Sequence, residues 1–360
     1  MAKTKVTVIG AGAWGTTVAN LLAKNCAEVH LWASQPAVAD AIRRTRQNAA
    51  YLPGVTLRRN VTAFHEITAA PLDSPLVVWA IPVQFLRARL RPFVEHLPRG
   101  VVCVNLGKGI EVDTLARPSE ILLEECTGLR AVGSLAGPNI AAEVAQEMYT
   151  EMTLALSDYR LLGEVAGYFA SETLRVNVTA DLTGLELSAA LKNVCAIAAG
   201  VCDGLRLGAN TKGLVLAAGL HEMRRLGAVL GANPDSFLTG CMLGDVLASC
   251  YSESGRNRRV GEYLGAGKTL DEALRLLNGR VSEGVPTCQA CYQLQGRLDL
   301  TLPLVENVHH LLEGRIDADG CIRRILRQPR RAGREPAREA RPSLGDGGLH
   351  LAELVAQDRS

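Results

Sequence analysis

Lys192 lies inside the apolar run from Leu187 to Ile197, where an ammonium is costly to bury unless it has a partner or a task. A lysine so placed is suited to passing a proton near neutral pH, and the plainer alternative is that its long stem carries the charge out to solvent. Asp245, between Leu243 and Leu247, is likewise a carboxylate in an apolar helical pattern and needs a cationic partner. Lys108, in Asn105-Leu-Gly-Lys108-Gly109, and Asn139, after Gly137-Pro138, each follow a strand-like run. Ligands gather at that carboxyl edge in open α/β sheets. Further on, Gly255-Arg256-Asn257-Arg258-Arg259 clusters three arginines at the start of a helical pattern. Cations are disfavoured at the positive end of a helix unless an anion binds there, and a guanidinium grips phosphate with two parallel donors. The alternative is a solvated helix start.

The run Gly10-Ala-Gly12-Ala13-Trp14-Gly15 follows a strand and opens a helix. Gly10 permits the tight turn, Gly12 lets a pyrophosphate approach the backbone, and Gly15 allows close helix–strand packing. The helix start then offers free N–H groups to phosphate. The pattern predicts a bound dinucleotide. No Asp or Glu stands at the end of the second strand, Leu31-Trp32-Ala33-Ser34-Gln35, where an NAD-selective site places one for the ribose 2′-hydroxyl. Ser34 tolerates a 2′-phosphate, so the residues lean towards NADP while leaving NAD open.

These residues need a scaffold, and the first half of the chain supplies β-branched runs at Lys5–Ile9, Glu28–Trp32, Leu76–Ile81, Val101–Asn105, Ala131–Leu135 and Thr153–Leu156, with helical patterns such as Gly15–Lys24 and Gln35–Gln47 between them. That rhythm predicts an α/β Rossmann domain, a doubly wound and mainly parallel sheet, over residues 1–180. Long helical patterns follow: Leu185–Val201, Ala209–Leu230, Pro234–Tyr251, Asn257–Leu264, Thr269–Asn278, Val285–Gln295 and Leu304–Leu312. They predict an all-α domain over 181–327. Residues 328–360 are rich in Arg, Pro and Gly, cannot build a core, and are expected to be a disordered tail.

Composition excludes several classes. With 39 Lys and Arg against 37 Asp and Glu, the net charge of +2 argues against a nucleic-acid binder. No signal-peptide pattern opens the chain, and no apolar run approaches the roughly 18 residues that span a bilayer. The expectation is therefore a cytoplasmic protein without membrane insertion. The ten cysteines sit in apolar segments and read as reduced core residues. Cys288 and Cys291 form one C-x-x-C with no second pair to complete a zinc site, so no metal is expected. His221-Glu222 opens like a zinc-protease motif, but Arg225 takes the second histidine's place. Gly265-Ala-Gly267-Lys268-Thr269 resembles the end of a phosphate-binding loop with the wrong spacing.

Taken together, ten ordered stretches resemble the NAD(P)-dependent glycerol-3-phosphate dehydrogenase family: GAGAWGTTVA near the start, NAAYLPG at 48–54, IPVQFLR at 81–87, GKGIE at 107–111, AGPNIAAEVA at 136–145, ALKNVCAIAAGVCDGL at 190–205, LGANTKG at 207–213, LGD at 243–245, GRNRRVG at 255–261 and SEG at 282–284. The resemblance spans residues 4 to 327. It implies hydride transfer between NAD(P)H and glycerone phosphate, a small phosphorylated substrate, supplying glycerophospholipid precursor, in a homodimer. It implies Lys192 as proton donor, Lys108 as a holder of substrate and cofactor, and Asp245 as the group that orients them. Gly137, Asn139, Asn193, Ser249, Gly255, Arg256 and Asn257 complete the implied substrate set. Gly10, Gly12, Ala13, Trp14, Gly15, Ser34, Tyr51, Ala141, Arg256, Val281 and Glu283 make up the cofactor set. Ala189 and Met242 depart from the family's usual glycines, and Met242 stands one turn before Asp245 on the same helical face. A Met there would point towards the substrate or fold aside. Two alternatives stay open, a paralogue acting on a different phosphorylated hydroxy compound and a non-catalytic NAD(P) sensor.

Overall fold

The computed structural model describes residues 4–67 and 72–327, so the expected 328–360 tail lies outside the described residues. The chain divides into two compact units. Of the described residues, the first holds those up to Ile110, Arg117–Ala189 and Leu238–Asp245, and the second holds Glu111–Ala116, Ala190–Phe237 and those from Val246 to Arg327.

The first unit is built on β1 (Lys5–Ile9), α1 (Ala13–Leu22), β2 (Glu28–Trp32), α2 (Pro36–Thr45), a small hairpin of β3 (Gln47–Asn48) and β4 (Leu52–Thr56), β5 (Val61–Phe64), β6 (Leu76–Trp79), α3 (Val83–Val94), β7 (Val102–Asn105), α4 (Pro118–Glu125), β8 (Ala131–Ala136), α5 (Ala141–Ala145), β9 (Thr150–Leu156), α6 (Leu162–Phe169) and β10 (Leu174–Thr179). Eight strands form one sheet in the order β10-β9-β8-β7-β6-β1-β2-β5. Every neighbouring pair is parallel except β8 with β9. Central strands buried on both faces need continuous apolar runs, and β6 and β7 are buried at every position. The order reverses at β1, which pairs with β2 on one side and β6 on the other, so the crevice for a ligand opens where β1, β6 and β7 end. The expected strand at Leu76–Ile81 stops at Trp79, because Pro82 begins the turn into α3.

Helix α7 (Leu182–Gly204) begins in the first unit, and α8 (Ala209–Val229), α9 (Gly240–Tyr251), α10 (Arg256–Gly265), α11 (Leu270–Arg275), α12 (Gly284–Arg297), α13 (Pro303–Leu312) and α14 (Ala318–Arg327) follow. The helix expected over Pro234–Tyr251 is instead a 3-10 turn at Pro234–Leu238 and then α9. Of α7's 23 residues, an 18-residue window is long and apolar enough to cross a membrane by length and composition alone. That window is wholly buried inside the protein.

Within the second unit, α7 and α10 meet backbone to backbone. A Cβ on Gly200 would stand 1.8 Å from the Arg258 carbonyl oxygen, and one on Gly261 would stand 1.9 Å from that of Ile197. Only glycine fits, and the contact fixes where α10 starts. Asp203 reinforces it, accepting from Arg258 at 2.7 Å and from Lys212 at 2.8 Å. Glu222 of α8 accepts the Leu304 and Val305 N–H groups at 2.5 and 3.1 Å, which caps the buried start of α13.

Candidate active site

The glycine loop has the shape that phosphate binding requires. Gly12 caps α1 without any side-chain hydrogen bond, and a Cβ built on it would meet nothing within 4 Å, so room remains at the helix start. Gly15 has none to spare: a Cβ there would stand 1.9 Å from the Gly10 carbonyl oxygen. Ala13 and Trp14 form the first turn, and the buried Trp14 Nε1 has no hydrogen-bond partner among the described residues. Such an orphaned donor calls for an acceptor that the protein does not supply. Thr17 donates to the Ala141 carbonyl at 3.2 Å, which brings Ala141 beside α1. Ser34 lies exposed after β2, and its neighbour Gln35 donates to the Tyr51 hydroxyl at 3.3 Å, so Tyr51 flanks the same loop. These residues fit a dinucleotide.

Still in the first unit, Lys108 is held by three acceptors. Its Nζ donates to Asp245 Oδ2 at 2.8 Å, Asn139 Oδ1 at 2.8 Å and the Gly137 carbonyl at 3.1 Å. Lys108 is 8% exposed and Asp245 3%, so the pair has little water around it and its attraction is correspondingly strong. Asn139 spends its oxygen on the lysine, and its buried Nδ2 is left without a partner among the described residues. A donor is thus presented beside a buried charge pair, which suits an oxygen-rich anionic ligand.

In the second unit, the Lys192 Nζ donates to Ser249 Oγ at 2.6 Å, so the ammonium is anchored inside the protein and does not snorkel out to solvent. Next to it, Asn193 Oδ1 accepts from Asn257 Nδ2 at 2.9 Å. Asn257 Oδ1 in turn accepts from the Ser282 hydroxyl at 2.7 Å and the Gly284 N–H at 3.0 Å. These bonds fix both amides, and the buried Asn193 Nδ2 is the donor left over. Gly255 caps α10 with no side-chain bond. Of the three clustered arginines, Arg258 is taken by Asp203 and Arg259 by the Tyr263 hydroxyl, while Arg256 is exposed. Val281 is exposed and Glu283 caps α12.

Of the two orientations open to Met242, the structure shows the one folded aside. Met242 is 3% exposed and packs with Ala136, Ala155, Leu185, Ala189 and Cys241, so its thioether lies in an apolar cluster. The residues missed from sequence are Asn105, Ser134, Ser282 and Glu186, polar positions inside strands, loops and helices whose partners lie far along the chain. Glu186 is wholly buried, and burial raises its pKa above the ordinary value against the pull of Arg117. The ten cysteines are buried free thiols, and burial pushes Cys291 up to about 12.

Comparison with known proteins bears on the chemistry. Residues 5–162 match the NAD-dependent glycerol-3-phosphate dehydrogenase N-terminal model, and residues 181–323 match its C-terminal counterpart. A glycerol-3-phosphate dehydrogenase (NAD(P)+) of Geobacter sp. (strain M21) is 40% identical over 310 residues, covering 86% of this chain and 92% of the relative. The enzyme of that name from Moorella thermoacetica is 37% identical over 328 residues, covering 91% and 97%. Among solved structures, glycerol-3-phosphate dehydrogenase from Coxiella burnetii superposes with a TM-score of 0.85 at 27% identity, covering 91% of this chain and 99% of that one.

Proposed function

Because the chain belongs to the NAD-dependent glycerol-3-phosphate dehydrogenase family, we propose that it interconverts glycerone phosphate and sn-glycerol 3-phosphate by hydride transfer with NAD(P). The observation that carries the reading is the buried Lys108–Asp245 pair, flanked by the orphaned Asn139 donor, in the unit whose glycine loop leaves room for a pyrophosphate.

A nicotinamide held here would supply the hydride. Addition of hydride to the substrate carbonyl leaves an alkoxide, and Lys192 delivers its proton. Ser249 holds the Lys192 ammonium in place at 2.6 Å, and Asp245, four residues earlier on α9, orients the charges at the reacting carbon. Lys108, with Gly137 and Asn139, holds the substrate oxygens. Gly255, Arg256 and Asn257 receive the phosphate at the start of α10, where the helix dipole favours an anion, and Asn193 adds a donor. Gly10, Gly12, Ala13, Trp14, Gly15, Ser34, Tyr51, Lys108, Ala141, Arg256, Val281 and Glu283 would hold the dinucleotide. The absence of an acid beside Ser34 supports a preference for NADPH. The same reading gives a cytoplasmic homodimer that supplies glycerophospholipid precursor.

The test is oxidation of NADH and NADPH followed by absorbance with glycerone phosphate. Turnover with both, faster with NADPH, is expected. No turnover with either would overturn the proposal, and a preference for NADH would overturn the role of Ser34.

A further inference from the structure

Lys108 is brought to Asp245 by a short loop, and that loop is itself held by a chain of hydrogen bonds reaching a buried carboxylate more than 70 residues away in sequence. Asn105, the last residue of β7, folds its amide over the turn. Its Oδ1 accepts the Gly107 N–H at 2.9 Å and its Nδ2 donates to the Gly107 carbonyl at 2.7 Å. The same Nδ2 donates to Ser134 Oγ of β8 at 3.3 Å. Ser134 in turn donates its one proton to Glu186 Oε1 at 2.7 Å. Glu186 of α7 is fixed by the Ser119 N–H at 2.9 Å, the Ser119 hydroxyl at 2.7 Å and Arg117 at 3.1 Å. All these residues belong to the first unit.

The direction of the chain is set at its far end. Both Glu186 oxygens are met by donors, the Ser119 N–H on Oε1 and the Ser119 hydroxyl and Arg117 guanidinium on Oε2, so Glu186 accepts the Ser134 proton and the Ser134 oxygen faces Asn105. That choice makes the nitrogen, not the oxygen, of the Asn105 amide turn towards Ser134, which leaves the Asn105 oxygen for the Gly107 N–H. Gly107 has no freedom to answer a wrong amide by moving, since a Cβ on it would stand 2.4 Å from the Ile81 carbonyl oxygen. Lys108 is the next residue. We propose that Glu186, Ser134 and Asn105 are positioning residues that set the loop presenting Lys108 to the substrate. This inference rests on the role proposed above for Lys108.

The experiment is a double-mutant cycle on the full-length enzyme. Asn105→Ala and Ser134→Ala should each lower kcat/KM for glycerone phosphate about tenfold, mostly through KM, with the Kd for NADPH, measured by fluorescence, moving no further than it does in Lys108→Ala. Lys108→Ala should cost more, and adding Asn105→Ala to it should cost nothing further, because the loop then has nothing to present. Ser134→Ala removes one oxygen from a strand and keeps the protein folded if Asn105→Ala does not, so the cycle can be run on either. A crippled Lys108→Ala beside untouched Asn105→Ala and Ser134→Ala would overturn the relay alone. Losses of equal size with and without Lys108 would reduce these residues to general stability and overturn it too. An untouched Lys108→Ala would overturn the role of Lys108 and the relay with it.

Discussion

Lys108 and Lys192 are both buried, and they are held in different ways. Lys108 donates to a carboxylate, an amide oxygen and a carbonyl, a set that holds its Nζ in place. Lys192 donates to the Ser249 hydroxyl at 2.6 Å. In the proposed division of labour one lysine binds and the other gives up a proton. Lys192→Met should therefore lower kcat by a factor on the order of 10² to 10⁴ while NADPH still binds, because only proton transfer is lost. Near-native turnover in that variant would mean that the proton comes from elsewhere. Met242 supplies a second case. Its burial in the apolar cluster predicts that Met242→Gly brings no gain in kcat/KM for glycerone phosphate and costs about 2–5 kcal/mol of stability, read by denaturant titration. The charged candidates stood out in the sequence because a Lys or Asp among leucines is conspicuous. Asn105, Ser134 and Ser282 are small polar residues of a kind found everywhere, and only their partners give them meaning.

The elements divide along the same line. Strands β6 and β7 were legible because a strand covered on both faces must be apolar throughout. The strands β5 and β10 lie at the two edges of the sheet, and β10, with Arg175, Asn177 and Thr179, mixes polar residues into a partly exposed strand that periodicity does not flag. Helix α14 was missed for a related reason, since its apolar face is narrow and Arg323, Arg324 and Arg327 dominate the remainder. The close approach of α7 and α10 was also invisible, because a glycine in a helix pattern looks like a weakness until the neighbouring backbone is seen. It makes a sharp prediction. Gly261→Ala must push α10 from α7, and should lower stability by about 1–3 kcal/mol and raise KM for glycerone phosphate as Asn257 moves with the helix. Gly213→Ala on α8, where a Cβ meets nothing within 4 Å, should instead leave KM alone and raise stability by several tenths of a kcal/mol. Equal responses from the two variants would show that the α7–α10 contact is more yielding than its geometry requires.

At the scale of the whole molecule, the buried carboxylates set how stability depends on pH. Glu222 is pushed up to about 7 by burial, against the pull of the two N–H groups of α13 that it accepts. Its ordinary value is 4.5, so between those limits the folded protein holds a proton that the unfolded chain has released. Raising the pH through that window therefore favours unfolding: the contribution is fully present below about 4.5 and is lost as the pH passes about 7. Glu186 is shifted in the same direction by the same cause. Glu125 works the other way, because Arg91 and Arg87 hold it down at about 2, so its contribution is present above its ordinary 4.5 and fades as the pH falls towards 2. The two effects act on opposite sides of pH 4.5, which lets one be isolated. Glu222→Gln keeps an oxygen to accept from the start of α13 and has nothing to titrate. Thermal melts between pH 5 and pH 8 should show the wild-type midpoint falling relative to that of Glu222→Gln, with the gap between them closing towards pH 5. Parallel curves across that range would mean that Glu222 titrates alike in the folded and unfolded chains, and that the α13 cap carries no hidden cost of ionisation.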